Sequence, residues 1–135
     1  MANTLYDGAR ERFLTGQINW SGDNIKAVLV DLGNYSPNFA TDVYLSSIPV
    51  IARIATSGNL AGKTVTGGIA DANDVTFTSV TGASCEALVL YMDSGSAATS
   101  PLLVYIDTAT GLPITPNGGN IIVQWSNAAG KIFKL

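Results

Sequence analysis

Glu86-Ala87-Leu88-Val89-Leu90-Tyr91-Met92 opens with one charge and continues with six apolar or aromatic residues. The run is too short for an ordinary helix and reads as a strand covered on both faces. Two other stretches share the pattern: Ile25-Lys26-Ala27-Val28-Leu29-Val30-Asp31 and Leu102-Leu103-Val104-Tyr105-Ile106-Asp107. Polar, turn-rich residues follow each of them. These three runs predict the centre of a sheet.

Shorter strands are expected around them. Arg53 to Thr56 is one, and Ile121 to Trp125 is another. Lys63 to Thr66 is a third, broken by Gly67-Gly68. Asp74 to Val80 alternates, with Val75, Phe77 and Ser79 on one side and Thr76 and Thr78 on the other. Ser126 to Gly130 turns the chain into a last strand, Lys131 to Leu135. Leu112 to Asn120, with two prolines and Gly118-Gly119, reads as a loop. The total is about six to eight short strands with turn signals between them, which suits an antiparallel β-sandwich or an open barrel. No alternation of strand and helix supports a parallel doubly wound sheet.

A short N-terminal helix is expected. Thr4 followed by Asp7 fits a capping pattern. Leu5, Ala9 and Phe13 recur every fourth residue, with Tyr6 and Leu14 widening the stripe. Arg10 and Arg12 suit the negative end of the helix dipole, and Gly16 is the expected stop. One further short helix is expected over Thr41 to Ser47, with Thr41 as cap and Val43, Tyr44 and Leu45 inward. Pro49 closes it. The fold class is therefore mainly β. It is one domain over residues 1–135, with a helical segment at 1–20 and a β domain at 21–135.

Composition narrows the function. Charged residues make up 13% of the 135 positions, where about 25% is usual. With 7 Lys+Arg against 10 Asp+Glu, no basic surplus exists to neutralise phosphates, so no nucleic-acid partner is expected. His is absent, which removes Ser-His-Asp catalysis and imidazole zinc sites. No stretch approaches the ~18 apolar residues of a membrane span, and no signal-peptide pattern opens the chain. A mean hydropathy of +0.28 without a membrane segment implies that copies of the chain, or a partner, cover part of its surface.

Candidate chemistries compete with plainer readings. Cys85 is the one cysteine, lacks a histidine to activate it, and reads as a small strand or turn residue. Asp71 and Asp74 place oxygens in one stretch as calcium requires, but without EF-hand spacing they read as a solvated turn. Asp93 and Asp107 end two strong strands and would be the carboxylates of a glycosidase, or ordinary turn residues. Gly67-Gly68 and Gly118-Gly119 lack the spacing of phosphate loops and read as turns requiring positive φ. Catalytic, metal and cofactor-binding residues are thus expected to be none, and the chain is expected not to be an enzyme. Among the aromatics, Trp20 and Tyr35 lie in polar stretches and are the surface candidates, whereas Tyr91, Tyr105 and Trp125 read as core.

The opening Leu5-Tyr6-Asp7-Gly8-Ala9-Arg10-Glu11-Arg12-Phe13-Leu14, then Ile18-Asn19-Trp20 and Ile25 to Asp31, resemble small virion structural proteins of tailed bacteriophages. So do Glu86 to Tyr91, the stretch Asp107 to Gly119, and the ending at Leu135. Gly111 to Gly119 is the most distinctive part, and the resemblance runs over nearly the whole chain. It implies a capsid decoration (cement) protein that binds the major capsid protein and copies of itself, commonly as a trimer. It also implies a place on the capsid surface after synthesis in the bacterial host cytoplasm. The alternative is a tail or fibre component that reads a host surface glycan. Partner contacts are expected at Leu5, Tyr6, Arg10, Phe13, Trp20, Tyr35, Leu112, Pro113, Pro116 and Asn117. In the competing view the N-terminal helix only caps the chain's own sheets.

Overall fold

The computed structural model describes residues 3–125 and 131–134. The expected turn over Ser126 to Gly130 and the terminal Leu135 lie outside the described residues. The chain is mainly β, built from antiparallel sheets packed in the manner of a sandwich. Its strands are β1 (Thr4–Leu5), β2 (Ile25–Val30), β3 (Arg53–Thr56), β4 (Thr64–Thr66), β5 (Ile69–Asp71), β6 (Val75–Phe77), β7 (Ala87–Met92), β8 (Leu102–Ile106), β9 (Ile121–Val123) and β10 (Phe133–Lys134).

The three apolar runs are the middle of the main sheet, whose order is β1-β8-β7-β2-β3. Strands β2 and β7 pair over their full length, from Ile25 opposite Met92 to Val30 opposite Ala87. Side chains directly opposite share a face. Leu29, Leu88 and Ile106 therefore line up on one face, and Val28, Val89 and Tyr105 on the other. All six are buried. Burial on both faces explains why these strands carry no alternation in sequence.

The first face is covered by smaller sheets. One has the order β10-β5-β4 and the other pairs β6 with β9. Ile132 and Phe133 line one cleft together with Leu5 and Val104, which share the first face. Gly67 and Gly68 have φ of 60° and 78° and form the two-residue turn of the β4–β5 hairpin. Left-handed backbone at both turn positions is what such tight hairpins need, and glycine adopts it without a Cβ clash. In β6, Val75 and Phe77 are buried and Thr76 is exposed, as alternation predicts. Ser79 is exposed with φ 50°, so the strand has ended before it and the expected inward Ser79 is corrected.

The second face carries the segment between β2 and β3. Phe39 packs against Tyr6 and Tyr105, with ring centroids 5.2 and 5.6 Å apart. The helix expected over Thr41 to Ser47 is instead a turn from Asn38 followed by a 3-10 turn at Leu45–Ser47. Asn38 explains the difference. Its carbonyl accepts the amides of Thr41 and Asp42, and its side chain accepts that of Ala40, so a local turn displaces a helix start. Pro49 opens a second 3-10 turn at Val50–Ala52 rather than closing a helix.

The N-terminal helix, α1, spans Asp7–Leu14. Thr4 is not its cap: it pairs with Tyr105 in β1, and Tyr6 precedes the helix with no side-chain cap. Pairing to β8 claims this backbone, and the Asp7 amide donates to the Phe39 carbonyl instead. Gly16 does end the helix. The Gly16 amide donates to Phe13 and the Gln17 amide to Arg12, a Schellman closure that needs the left-handed φ of 74°. Leu14 does not join the apolar stripe, being 88% exposed.

Candidate interaction surface

The predicted contact residues divide into buried and exposed sets. Tyr6 is fully buried, and its hydroxyl lies 2.9 Å from that of Tyr35. Tyr35 donates to Asp42 Oδ2 at 2.7 Å, and the Asn38 amide donates to the same oxygen. The chain of bonds ties the helix entry to the 31–52 segment. Burial above all, with the nearby Asp42 charge, sets both tyrosine hydroxyls well above their ordinary titration range; the bond between them works against this at Tyr6 and adds to it at Tyr35. Tyr35 is therefore not a surface residue, which corrects the expectation. A tyrosine whose hydroxyl finds a carboxylate beneath the surface packs inward even from a polar stretch.

Trp20 is corrected in the same way. It is 4% exposed, and its indole N–H donates to the Asp71 carbonyl of β5. Its ring meets Phe133 edge-on at 5.4 Å, and Phe13 approaches Phe133 at 5.8 Å. Phe13, Trp20, Val65 and Phe133 line a groove of about 280 Å³. Phe133 also borders a neighbouring cleft of about 410 Å³, walled by Leu5, Arg10, Lys131 and Lys134. Four of the predicted residues, Leu5, Arg10, Phe13 and Trp20, thus line these clefts, while Tyr6 packs on Phe39 at the other face of the sheet.

The loop candidates lie elsewhere. Pro113 borders a cleft with Leu32, Glu86, Tyr105 and Asp107. Pro113 and Asn117 are exposed, and Leu112 and Pro116 half-buried. Ile114 bridges to Cys85 by two backbone bonds, and the Gly118 amide donates to the Val80 carbonyl. The loop is fastened to the β6 end of the fold, and none of its residues borders the groove beside Trp20.

Large exposed apolar side chains went unnoticed in the sequence. Val50 and Ile51 are 75% and 69% exposed in the 3-10 turn that leads into β3. Ile122 and Val65 stand out at 58% and 56%. No pattern in the sequence marks them, since apolar residues beside a strand read equally as core.

The carboxylates do not converge. Asp93 follows β7 and Asp107 follows β8, and these strands are antiparallel, so the two lie at opposite ends of the sheet. Asp107 lies opposite Ala87, and six residue steps at ~3.4 Å each put Asp93 about 20 Å away, beyond the reach of a glycosidase pair. Asp93 instead accepts the Gly95 amide and pairs with Lys26 at 3.0 Å, which together hold its carboxyl below the usual range. Tyr105 donates to Asp107, and its own hydroxyl is pushed up to about 12, first by burial and then by that carboxylate. Asp71 pairs with Lys131 at 3.3 Å, and Asp74 accepts the Trp125 amide. Among the described residues no cluster of His, Cys, Asp or Glu could hold a metal ion. Burial raises the Cys85 thiol to about 11, so it is protonated at neutral pH and a poor nucleophile.

The sequence matches no protein-family model and no curated protein.

Proposed function

We propose that this chain is a non-enzymatic structural protein of a tailed-bacteriophage virion, a decoration protein that binds the major capsid protein and copies of itself. The observation that carries this reading is the pairing of a charge-poor composition with large apolar side chains standing in solvent, Leu14, Val50 and Ile51 foremost. Such surface favours burial against another protein. The resemblance of the sequence to small phage virion proteins supplies the kind of partner.

The mechanism is mechanical. A shell under internal pressure fails where its subunits part. A protein bridging neighbouring subunits opposes parting through buried apolar area, at ~25 cal/mol per Å², less the cost of association. Several contacts per oligomer make retention tight by multivalency. Few charges take part, so salt has little to screen. The glycan-reading alternative requires an exposed aromatic platform, and Trp20, Tyr35 and Trp125 are all buried within the chain.

Protein stoichiometry in purified particles tests the proposal. The chain is expected to approach the abundance of the major capsid protein and to stay bound through a high-salt wash. A trace component, or one washed off by salt, contradicts it.

A further inference from the structure

Beyond shell binding, the loop over Leu112 to Asn120 holds the parts of a reaction. Asn117-Gly118 is the one Asn-Gly pair of the sequence, and both residues are exposed. In such a pair the glycine's backbone nitrogen can attack the asparagine carboxamide, because no side chain stands in its way. The fold fixes both reactants. The Gly119 amide donates to Asn117 Oδ1 at 2.9 Å, which turns the side chain back along the loop and polarises its carbonyl. The Gly118 amide, the nucleophile, donates to the Val80 carbonyl at 2.7 Å. The Val80 amide donates in turn to the Gly119 carbonyl at 3.0 Å, so two bonds close a bridge. Val80 is buried, and the neighbouring Ser79 amide donates to Asn120 Oδ1 at 3.0 Å.

We infer that Asn117 is a site of deamidation whose carboxamide is set for attack and whose nucleophile is locked by Val80. An amide nitrogen attacks only after losing its proton, and a proton engaged with a carbonyl is harder to remove. Opening of the Val80 bridge releases it. Hydroxide then takes the Gly118 amide proton, the nitrogen bonds to Asn117 Cγ, and the Cγ–Nδ2 bond breaks. Nδ2 leaves as ammonia, drawing its third proton from water, and a cyclic succinimide remains. Water adds to one of the two ring carbonyls, and the ring opens to aspartate or isoaspartate. Either product adds one negative charge to a chain already at −3. Isoaspartate also lengthens the backbone by one carbon, which draws the Gly118 amide away from the Val80 carbonyl. The reaction thus unfastens the loop that restrains it.

Incubation of the purified full-length chain in mildly alkaline buffer, followed by peptide mapping with mass spectrometry, tests this without any capsid, so its outcome is separate from that of shell binding. Conversion at Asn117 to aspartate and isoaspartate is expected, about tenfold or more slower than in the same chain unfolded by urea. Asn59, exposed but followed by Leu60, is the internal control and is expected to change far more slowly in both states. Asn120→Ala removes the acceptor of the Ser79 amide and is expected to speed conversion several-fold. Urea below the unfolding transition is expected to do the same without a substitution. Hydrogen exchange at the Gly118 amide in the same samples reports the bridge, and conversion is expected to rise in step with it. Equal rates in the folded and unfolded chain overturn the inference. So does conversion that stays constant while the Gly118 amide opens, or modification at Asn59 as fast as at Asn117.

Discussion

The two edges of the five-stranded sheet are finished in different ways. At one, β1 adds only two residues to β8 before the chain turns into α1, and the Tyr6 and Asp7 amides are taken by Leu103 and Phe39. At the other, β3 ends the sheet with exposed apolar residues beside it. The first edge is closed by the chain's own N-terminal segment. The second carries a register shift between Leu29 and Val30, a bulge that interrupts the ladder at Ile54. The same contrast separates the sheet's centre, which is self-sufficient, from its rim.

The largest expected effect tests that centre. Leu88 is fully buried in the middle of β7, and Leu88→Ala is expected to cost about 2–5 kcal/mol in urea unfolding. Val65→Ala on the exposed β4 is expected to stay within about 0.5 kcal/mol. Equal losses at the two sites would erase the distinction between centre and rim.

The closed edge comes next. Tyr35→Phe removes a hydroxyl that links Tyr6 to Asp42, at an expected cost of about 1–3 kcal/mol. The pH dependence has a definite sign. Tyr6, Tyr35 and Tyr105 are raised in the folded state above their ordinary value of 10.0. Their contribution is complete below pH 10 and is lost as pH rises, with Tyr105 passing through about 12. Unfolding midpoints followed into alkali should fall for wild type and fall less steeply for Tyr35→Phe.

Smaller effects belong to the rim. Gly68→Ala places a side chain at φ 78° in the β4–β5 turn and is expected to cost about 1–2 kcal/mol. Asp93→Asn breaks the partly exposed pair with Lys26 and is expected to cost under about 1 kcal/mol. Because Asp93 is lowered from 3.8, its contribution is present above that value and fades as pH falls below it. Thermal melts across pH 2 to 6 of wild type and variant check this.

The centre of the fold was legible because continuous apolar runs leave a buried strand little ambiguity. Strand β3 was read at Arg53 to Thr56 as it stands. Strands β1 and β5 were missed, since two or three residues carry no period and depend on pairing with distant partners. The reading of Gly67-Gly68 as a turn was sound, but the hairpin's second arm after it was not seen. Trp20 and Tyr35 failed as surface residues because a polar neighbourhood in sequence says nothing about a carbonyl or carboxylate brought in from far along the chain. The exposure of Val50 and Ile51 was missed for the converse reason. Apolar residues beside a strand look like core until the turn that carries them is known.

Amide hydrogen exchange of the purified chain, followed residue by residue, probes the contrast between centre and rim most directly. The result predicted is slow exchange at Val28 and Val89, in the buried centre, and fast exchange at Thr56, on the exposed rim. Exchange at Thr56 as slow as at Val28 and Val89 would contradict it.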